Sequence, residues 1–166
     1  MKRILNLGCG NDFYGTDRVD FVKTCATTKV CDLEEKLPFE DKTFDEVYCK
    51  SVLEHIRNLK TFISEIYRVL KKGGKLYVRT DHSGYMPTHL FKKHEHNKSL
   101  HYSYQDIEDK HYHHFVESHL RFLFKDFQID KIVYVYGGGS IIKKVLAKLL
   151  PKNLGVVHLD LCATKK

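Results

Sequence analysis

The feature that most constrains the fold lies near the N-terminus, where an apolar run ends in two closely spaced glycines. This stretch is ILNLGCGNDFYGTDRVD, residues 4–20. Gly8 and Gly10 allow a sharp turn and a close approach of the backbone to a ligand, at the edge where a first strand ends. A second apolar pair ends in Asp20, and only nine residues separate that aspartate from Gly10. The stretch therefore predicts a nucleotide-type site.

Two common nucleotide sites do not fit this spacing. A dinucleotide fold requires G-x-G-x-x-G, and here Phe13 occupies the third glycine position. The phosphate-cradling pattern G-x-x-x-x-G-K-[ST] occurs nowhere in the chain. Another ligand is therefore expected at the glycine turn.

Short apolar runs alternate with helical periodicity through the first 80 residues, which predicts a parallel sheet with right-handed crossovers. The clearest helix places Leu59, Ile63 and Ile66 on one apolar face. Asn58 can cap its start, and its predicted end has lysines at 71–72 in the last turn and a glycine stop at 73–74. The predicted strands are residues 3–7, 17–20, 29–33, 44–49, 75–79, 128–136 and 156–163.

The second half of the chain is less regular. Residues 84–112 hold few periodic apolar positions, which indicates a loop region with short helical pieces. Residues 115–127 predict a helix, and residues 140–150 predict a basic amphipathic helix that Pro151 ends. Six lysines follow residue 136 against the single Asp160, so the basic excess indicates a local contact surface.

The composition indicates a soluble, globular, cytoplasmic protein of one domain. The chain has 166 residues, of which 42% are hydrophobic, and a formal net charge of +7. Its five cysteines form no C-x-x-C pair, a pattern typical of reduced thiols in the cytosol. No apolar stretch approaches the length of a membrane span, and no signal-peptide pattern is present.

Six short motifs in the first half of the chain occur together in a recognisable order. They are LNLGCG at residues 5–10, CDL at 31–33, LPF at 37–39, FD at 44–45, VLEHI at 52–56 and EIYRVLKKGG at 65–74. In this order and at these intervals, the chain resembles the class I S-adenosylmethionine-dependent methyltransferases. It is most similar to their compact type 11 group, and the resemblance covers about half of the chain.

The resemblance implies an α/β fold, a single Rossmann-like methyltransferase domain. Its mostly parallel seven-stranded sheet would have the order 3-2-1-4-5-7-6, with the last strand antiparallel. Because a parallel crossover usually needs a dozen or more residues, the first crossover is expected to be shortened. The domain is expected to span residues 1–166, with a cofactor-binding half at 1–82, an acceptor lid and helix region at 83–127, and C-terminal strands with the basic helix at 128–166.

The resemblance also implies S-adenosylmethionine as the cofactor, with S-adenosylhomocysteine as the product. In this family an acid that ends the second strand accepts both ribose hydroxyls, a role expected for Asp20 unless Asp17 closes the site. Asp32 is expected to face the adenine amino group, with Leu33 against the ring. The implied cofactor-binding residues are Asn6, Gly8, Cys9, Gly10, Asp20, Asp32, Leu33, Lys50 and Ser51.

Three histidines are candidate general bases. Methyl transfer from a sulfonium centre needs alignment, and it needs a base when the nucleophile carries a proton. His55, His82 and His111 are expected near the active edge and have the side-chain type for this role. Ser51 and Glu54 show the S-x-x-E spacing of a capping box, which is favoured over a catalytic role for Glu54.

Eight of the eleven histidines lie between His89 and His119. No carboxylate or thiolate accompanies them at a recognised ligand spacing, and His94-Glu-His96 lacks the P-C-x-x-C of a zinc deaminase. The segment is therefore expected to be a polar acceptor lid, and no metal site is predicted.

The expected function is transfer of a methyl group to a small molecule, a sugar or a glycolipid. An RNA or other nucleic-acid methyltransferase is the alternative on charge, although [DN]-P-P-[YF] does not follow the fourth strand. A non-catalytic cofactor-binding subunit of a complex also fits the shortened crossover. A homodimer whose partner closes the acceptor pocket is a further alternative, because residues 83–115 are the only candidate lid. The basic helix at 140–150 fits ordinary packing, peripheral membrane contact or phosphate contact.

Overall fold

A computed structural model describes residues 1–82, 111–136 and 156–166 of the chain. The predicted helix at 140–150 and most of the predicted lid lie outside the described residues. The elements are β1 (Ile4–Leu7), β2 (Asp17–Asp20), β3 (Lys29–Val30), β4 (Phe44–Lys50), a 3₁₀ turn (Leu53–His55), α1 (Leu59–Val69), β5 (Leu70–Asp81), α2 (Glu117–Leu123), β6 (Phe127–Tyr136) and β7 (Val156–Lys165).

The seven strands form one sheet in the order β3-β2-β1-β4-β5-β7-β6. Strands β1 to β5 pair in parallel with their neighbours, and β7 is antiparallel to both β5 and β6. The α/β fold class, the strand order and the single antiparallel strand are confirmed.

The first crossover contains no helix, as the short spacing predicts. Residues 8–16 pass from β1 to β2 as turns and bends, and the Thr16 N–H donates to the Ile4 carbonyl at 2.9 Å. Gly15 has a φ of +98°, and a Cβ there would lie 3.2 Å from the Ile4 carbonyl oxygen. The connection therefore packs closely against the start of β1 without forming a helix, which explains how nine residues suffice to join β1 to β2.

The core lies on one face of the sheet. Leu5, Val47 and Leu76 are register partners across β1, β4 and β5, and all three are fully buried. Phe62 of α1 and Leu120 of α2 belong to the same buried cluster. Burial of apolar area on this face is the main favourable contribution to folding.

The opposite face of the sheet carries polar and aromatic side chains. Asn6, Tyr48 and Tyr77 are register partners there. The Tyr48 and Tyr77 rings stack with centroids 4.5 Å apart, and Tyr14 meets Tyr48 edge-on at 4.6 Å.

Helix α1 begins as predicted and ends earlier. The Asn58 side chain accepts a hydrogen bond from the Thr61 N–H, which confirms the cap. The predicted last turn with lysines at 71–72 is wrong, because α1 ends at Val69 and the chain turns at once into β5. Lys71 instead forms an ion pair with Asp45 of β4 at 2.8 Å.

Helix α2 is shorter than the predicted range of 115–127. Phe115 forms an isolated bridge with His82, and Phe127 is the first residue of β6. Of the helices that the structure describes, none is long and apolar enough to cross a membrane.

Candidate active site

The glycine turn after β1 uses its two glycines for different reasons. Both have left-handed backbones, with φ of +64° at Gly8 and +51° at Gly10. A Cβ on Gly8 would lie 2.3 Å from a methyl of Val52, whereas a Cβ on Gly10 would meet no atom of the described residues within 4 Å. Gly8 is therefore required by packing, and Gly10 borders open space.

Asp20 ends β2 beside this turn. Its side chain is buried, and its carboxylate accepts the Gly10 N–H at 2.8 Å and the Val22 N–H at 3.3 Å. A carboxylate has about four acceptor positions, so Asp20 retains capacity for further donors such as ribose hydroxyls.

Asp17 lies at the opposite end of β2. Its carboxylate accepts two hydrogen bonds from the Arg3 guanidinium, each at 3.0 Å. That guanidinium lowers the pKa of Asp17. Of the two aspartates considered for the ribose position, only Asp20 lies at the carboxyl edge.

Two buried threonines, which the sequence motifs did not single out, support the glycine turn. The Thr24 hydroxyl donates to the Gly10 carbonyl at 2.5 Å. The Thr24 and Thr27 hydroxyl oxygens are 2.8 Å apart, and both side chains are buried in the loop after β2. A buried threonine pair in a short loop between strands is a weak signal, and only its tertiary contact with Gly10 reveals the role.

The other predicted cofactor residues follow β3 and β4 at the same edge. Asp32 is exposed, and its carboxylate accepts the Glu34 N–H at 2.8 Å. Leu33 is buried beside it. Lys50 ends β4 with an exposed side chain, and exposed Ser51 follows it.

The side chains of Asn6 and Cys9 are buried and contact other residues of the protein. The Asn6 amide is buried and donates to the Tyr14 carbonyl at 3.2 Å, so it holds the crossover against β1. The Cys9 thiol is buried next to Thr27, and burial raises its pKa. The structure therefore does not bring the Asn6 side chain to the site where it was predicted.

The predicted capping box at Ser51 and Glu54 is wrong. Ser51 has a left-handed φ of +53°, and Val52 precedes the 3₁₀ turn without a side-chain cap. The Glu54 carboxylate instead accepts a hydrogen bond from the Thr80 hydroxyl at 2.9 Å. Glu54 is almost completely buried, and this burial raises its pKa.

A group of four polar side chains, named here the Asp81 cluster, forms next to this turn. Its members are Asp81, His55, His111 and His158. One Asp81 oxygen lies 3.0 Å from Nδ1 of His158, and the other lies 3.6 Å from Nδ1 of His111. The rings of His55 and His111 meet edge-on with centroids 4.6 Å apart. Two of the three predicted bases, His55 and His111, therefore lie together.

The backbone of the 3₁₀ turn anchors the segment that carries His111. The Glu54 carbonyl accepts the Tyr112 N–H at 2.7 Å and the His113 N–H at 3.3 Å. The Arg57 guanidinium donates to the Tyr112 hydroxyl at 2.8 Å and lies over its ring. His111 is thus held near Asp81 by contacts with residues 54–57.

His82, the third predicted base, lies in the core. Its side chain is buried, with its ring 6.1 Å from that of Tyr134, and burial lowers its pKa. The alternation of β5 turns Thr80 inward and Asp81 outward, and the buried His82 follows the strand. The structure therefore buries His82 directly after the end of β5.

The glycine turn and the Asp81 cluster are joined through Val52. Its side chain packs against Gly8, and its carbonyl accepts the His55 N–H at 2.9 Å. Among residues 1–82, 111–136 and 156–166, no three His, Cys, Asp or Glu side chains are arranged to hold a metal ion. The chemistry available at this edge is acid–base chemistry beside a nucleotide-type turn.

Comparison with known families indicates which ligand the glycine turn binds. Residues 9–78 match the family model described as a methyltransferase domain. The resemblance to methyltransferases that the motifs predicted is confirmed over these residues, which make up less than half of the chain. The cofactor that such a domain implies is S-adenosylmethionine.

Known methyltransferases resemble parts of the chain. It is 46% identical over 52 residues to the mitochondrial ubiquinone biosynthesis O-methyltransferase of Rattus norvegicus, which covers 31% of this chain and 15% of that protein. It is 52% identical over 44 residues to the sterol 4-C-methyltransferase strm-1 of Caenorhabditis elegans, covering 26% and 13% of the two chains. The chain thus spans only a small part of the length of these relatives.

The whole fold has solved counterparts. The structure of a protein from Listeria monocytogenes, reported as an S-adenosylmethionine-dependent methyltransferase, superposes on this chain with a TM-score of 0.67 at 16% identity. The match covers 99% of this chain and 91% of that one. At this identity the likeness establishes the fold.

The residues present fit the cofactor. Within the part of the chain that the structure describes, a Cβ placed on Gly10 would have no contact within 4 Å. Asp20 retains acceptor capacity next to that space, which suits a ribose with two hydroxyls. The carboxyl edge of β1, β2 and β4 is also where ligands bind in open α/β sheets.

Proposed function

We propose that the protein is an S-adenosylmethionine-dependent methyltransferase that acts on a hydroxyl group of a small molecule, within a class that includes sugars and glycolipids. One observation carries the proposal, namely that a glycine turn suited to the cofactor and a histidine-rich acid–base group share one edge of the sheet. Val52 contacts Gly8 and accepts a hydrogen bond from His55, so the two parts are neighbours.

The chain's own residues would hold and orient the cofactor. The left-handed turn at Gly8 and Gly10 provides close backbone approach, and Asp20 takes the ribose hydroxyls. Asp32 and Leu33 flank the adenine, and Lys50 and Ser51 lie at the edge where cofactor and acceptor meet. When bound, the cofactor supplies a methyl group on a positively charged sulfur and leaves as a neutral thioether.

The Asp81 cluster supplies what such a reaction needs from the protein. A hydroxyl nucleophile must lose its proton, and a positioned imidazole removes it with a typical gain of about 10²–10⁴ in rate. His55 is partly exposed and His111 is exposed. Their rings contact each other.

The names of the relatives favour a small-molecule acceptor. The rat protein is named for ubiquinone biosynthesis and the nematode protein for sterols. A nucleic-acid acceptor is the second candidate, and its support is the net charge of +7.

Calorimetric titration with S-adenosylhomocysteine, with NAD as the control ligand, tests the cofactor. We expect micromolar binding of S-adenosylhomocysteine alone. Asp32→Ala should weaken that binding at least about tenfold, because a carboxylate–amine hydrogen bond would be lost. Binding of neither ligand would contradict the proposal and favour a subunit that needs a partner.

Transfer of a labelled methyl group to catechol, a sterol, a monosaccharide and RNA tests the acceptor class. We expect label in a hydroxyl-bearing small molecule and none in RNA. Methylated RNA, together with heparin retention that falls steeply with salt, would replace the small-molecule proposal by the nucleic-acid one.

A further inference from the structure

Asp81 contacts two imidazoles, whereas Asp160, the other carboxylate of β5 and β7, contacts none among the described residues. Asp160, two residues from His158 on the same face of β7, is fully engaged by the Arg79 guanidinium through two bonds of 2.6 Å. Asp81 has one oxygen on His158 and the other on His111. No motif at the sequence level pointed to His158.

The position of each partner is fixed differently. Asp81 and His158 are direct cross-strand partners in the antiparallel pair of β5 and β7. Their 3.0 Å contact is a hydrogen bond between rigid elements, in which Nδ1–H of His158 donates to the carboxylate. His111 lies on the segment that residues 54–57 anchor, and its 3.6 Å contact is longer than a hydrogen bond.

The order of these groups along the sheet edge suggests their roles. His55 follows β4, and its ring contacts that of His111. His111 in turn contacts Asp81, the last residue of β5. On the other side of Asp81 lies His158 of β7. His111 is therefore closer in this series to the glycine turn than Asp81 or His158. Buried Glu54 faces the same group, since both Asp81 and His111 influence its pKa.

We propose that Asp81 is a positioning residue that His158 locks in place and that orients His111 as the general base; this rests on the proposed function. Once its contact with His111 closes, Asp81 holds the hydrogen of that ring on Nδ1, which leaves Nε2 with a lone pair. The acceptor's O–H proton would move to Nε2, and the electron pair left on oxygen would form the new bond to the methyl carbon. The bond from that carbon to the cofactor's sulfur would break with its electron pair going to sulfur, so that a neutral thioether leaves, and the imidazolium would later return the proton to water. A closure of under about 1 Å would bring Asp81 and His111 into hydrogen-bond contact, as often happens when ligands bind.

The first test needs no acceptor. Nitrogen-15 chemical shifts of the imidazole rings report which ring nitrogen carries the hydrogen. In the wild type with S-adenosylhomocysteine bound, which allows the Asp81–His111 contact to close, we expect the Nδ1–H form for His111 and His158. Both should shift toward Nε2–H in Asp81→Asn, because an amide can donate where a carboxylate cannot. Asp160→Asn is the matched control and should leave both rings unchanged. Unchanged tautomers in Asp81→Asn would overturn the proposal, whatever the acceptor is.

The second test separates binding from catalysis, with catechol as the acceptor probe. Asp81→Asn should lower kcat at least about tenfold, while KM for S-adenosylmethionine and affinity for S-adenosylhomocysteine change less than about twofold. His158→Gln, which can still donate to Asp81, should retain more activity than His158→Ala. An Asp81→Asn enzyme with wild-type kcat would overturn the role of Asp81, whereas a wild type without cofactor binding would count against the proposed function instead.

Discussion

At the scale of single residues, the two glycines of the turn show how one motif serves two demands. Gly8 has no room for a side chain because Val52 packs against it, and Gly10 has room that no described protein atom fills. The motif alone does not separate these roles, since both glycines have left-handed backbones.

Alanine substitutions should separate the two roles. Gly8→Ala should destabilise the fold by at least about 2 kcal/mol, because the new methyl meets Val52 in a left-handed backbone. Gly10→Ala should cost about 1 kcal/mol from backbone strain alone, yet weaken S-adenosylhomocysteine binding at least about tenfold. Urea unfolding and calorimetry measure the two effects. Equal loss of stability in both variants would contradict this assignment.

Glu54 should make stability depend on pH. Burial raises its pKa above the ordinary value of 4.5, and the nearby Asp81 raises it further. Its contribution is therefore fully present below about pH 4.5 and is lost as pH rises through the folded-state pKa.

Glu54→Gln removes this dependence while keeping an oxygen for the Thr80 hydroxyl. We expect the variant to gain stability relative to the wild type between pH 4 and pH 8, as judged by urea unfolding at several pH values. Glu35→Gln, at an exposed position, is the control and should follow the wild type. A constant difference between Glu54→Gln and wild type at all pH values would refute the expectation.

At the scale of elements, side chains of α1 hold a connection that has no helix of its own. Residues 31–43 join β3 to β4 as turns and bends. The Glu65 carboxylate accepts the Leu37 N–H at 2.8 Å and two bonds from Arg68. Arg68 in turn donates to the carbonyls of Leu37 and Phe39. One ion pair on the helix thereby fixes the loop that follows the proposed adenine residues.

Glu65→Gln should destabilise the protein by about 1.5–3 kcal/mol at pH 7, since charged hydrogen bonds are lost at a largely buried position. The Arg68 guanidinium lowers the pKa of Glu65 from 4.5, so its contribution is present above that value and is lost as pH falls through the folded-state pKa. The difference from wild type should therefore shrink in unfolding experiments below about pH 4. Ser64→Ala, at an exposed neighbour on α1, is the control, and a difference that persists at low pH would point to packing instead of charge.

At the scale of the whole molecule, the C-terminal strand completes the end of α1. The last carbonyls of a helix lack partners within it. Here Arg68 and Val69 accept N–H groups from Lys42 and Thr43. Lys165 of β7 donates to the carbonyls of Tyr67 and Leu70 at 2.6 and 2.7 Å, across nearly 100 residues of sequence.

Lys165→Met should test this long-range cap. Methionine keeps most of the buried stem but leaves two helix-end carbonyls without their donor, so we expect a loss of about 1–3 kcal/mol in unfolding free energy. Lys166→Met removes an exposed neighbouring lysine and should change stability by less than about 0.5 kcal/mol. Equal values for the two variants would show that the cap contributes nothing.

Motifs predicted more of the fold than of the site. The glycine turn, the strand order and the helix start at Asn58 were predictable, because each depends on residues adjacent in sequence or on motifs in register. The end of α1 and the role of Ser51 and Glu54 were predicted wrongly. In both cases a tertiary partner, Asp45 for Lys71 and Thr80 for Glu54, replaced the local capping interaction.

The sequence by itself predicted the glycine turn and the alternating strands and helices, since backbone geometry at glycines and apolar periodicity are local properties. The order of the strands followed from the resemblance of six motifs to a known family. Only the tertiary structure decided which polar side chains meet. At the end of β5, Asp81 points outward and the following His82 is buried. Strand pairing brings His158 to Asp81 across about 77 residues of sequence. Contacts of this kind depend on register between distant strands, and no local pattern encodes that register.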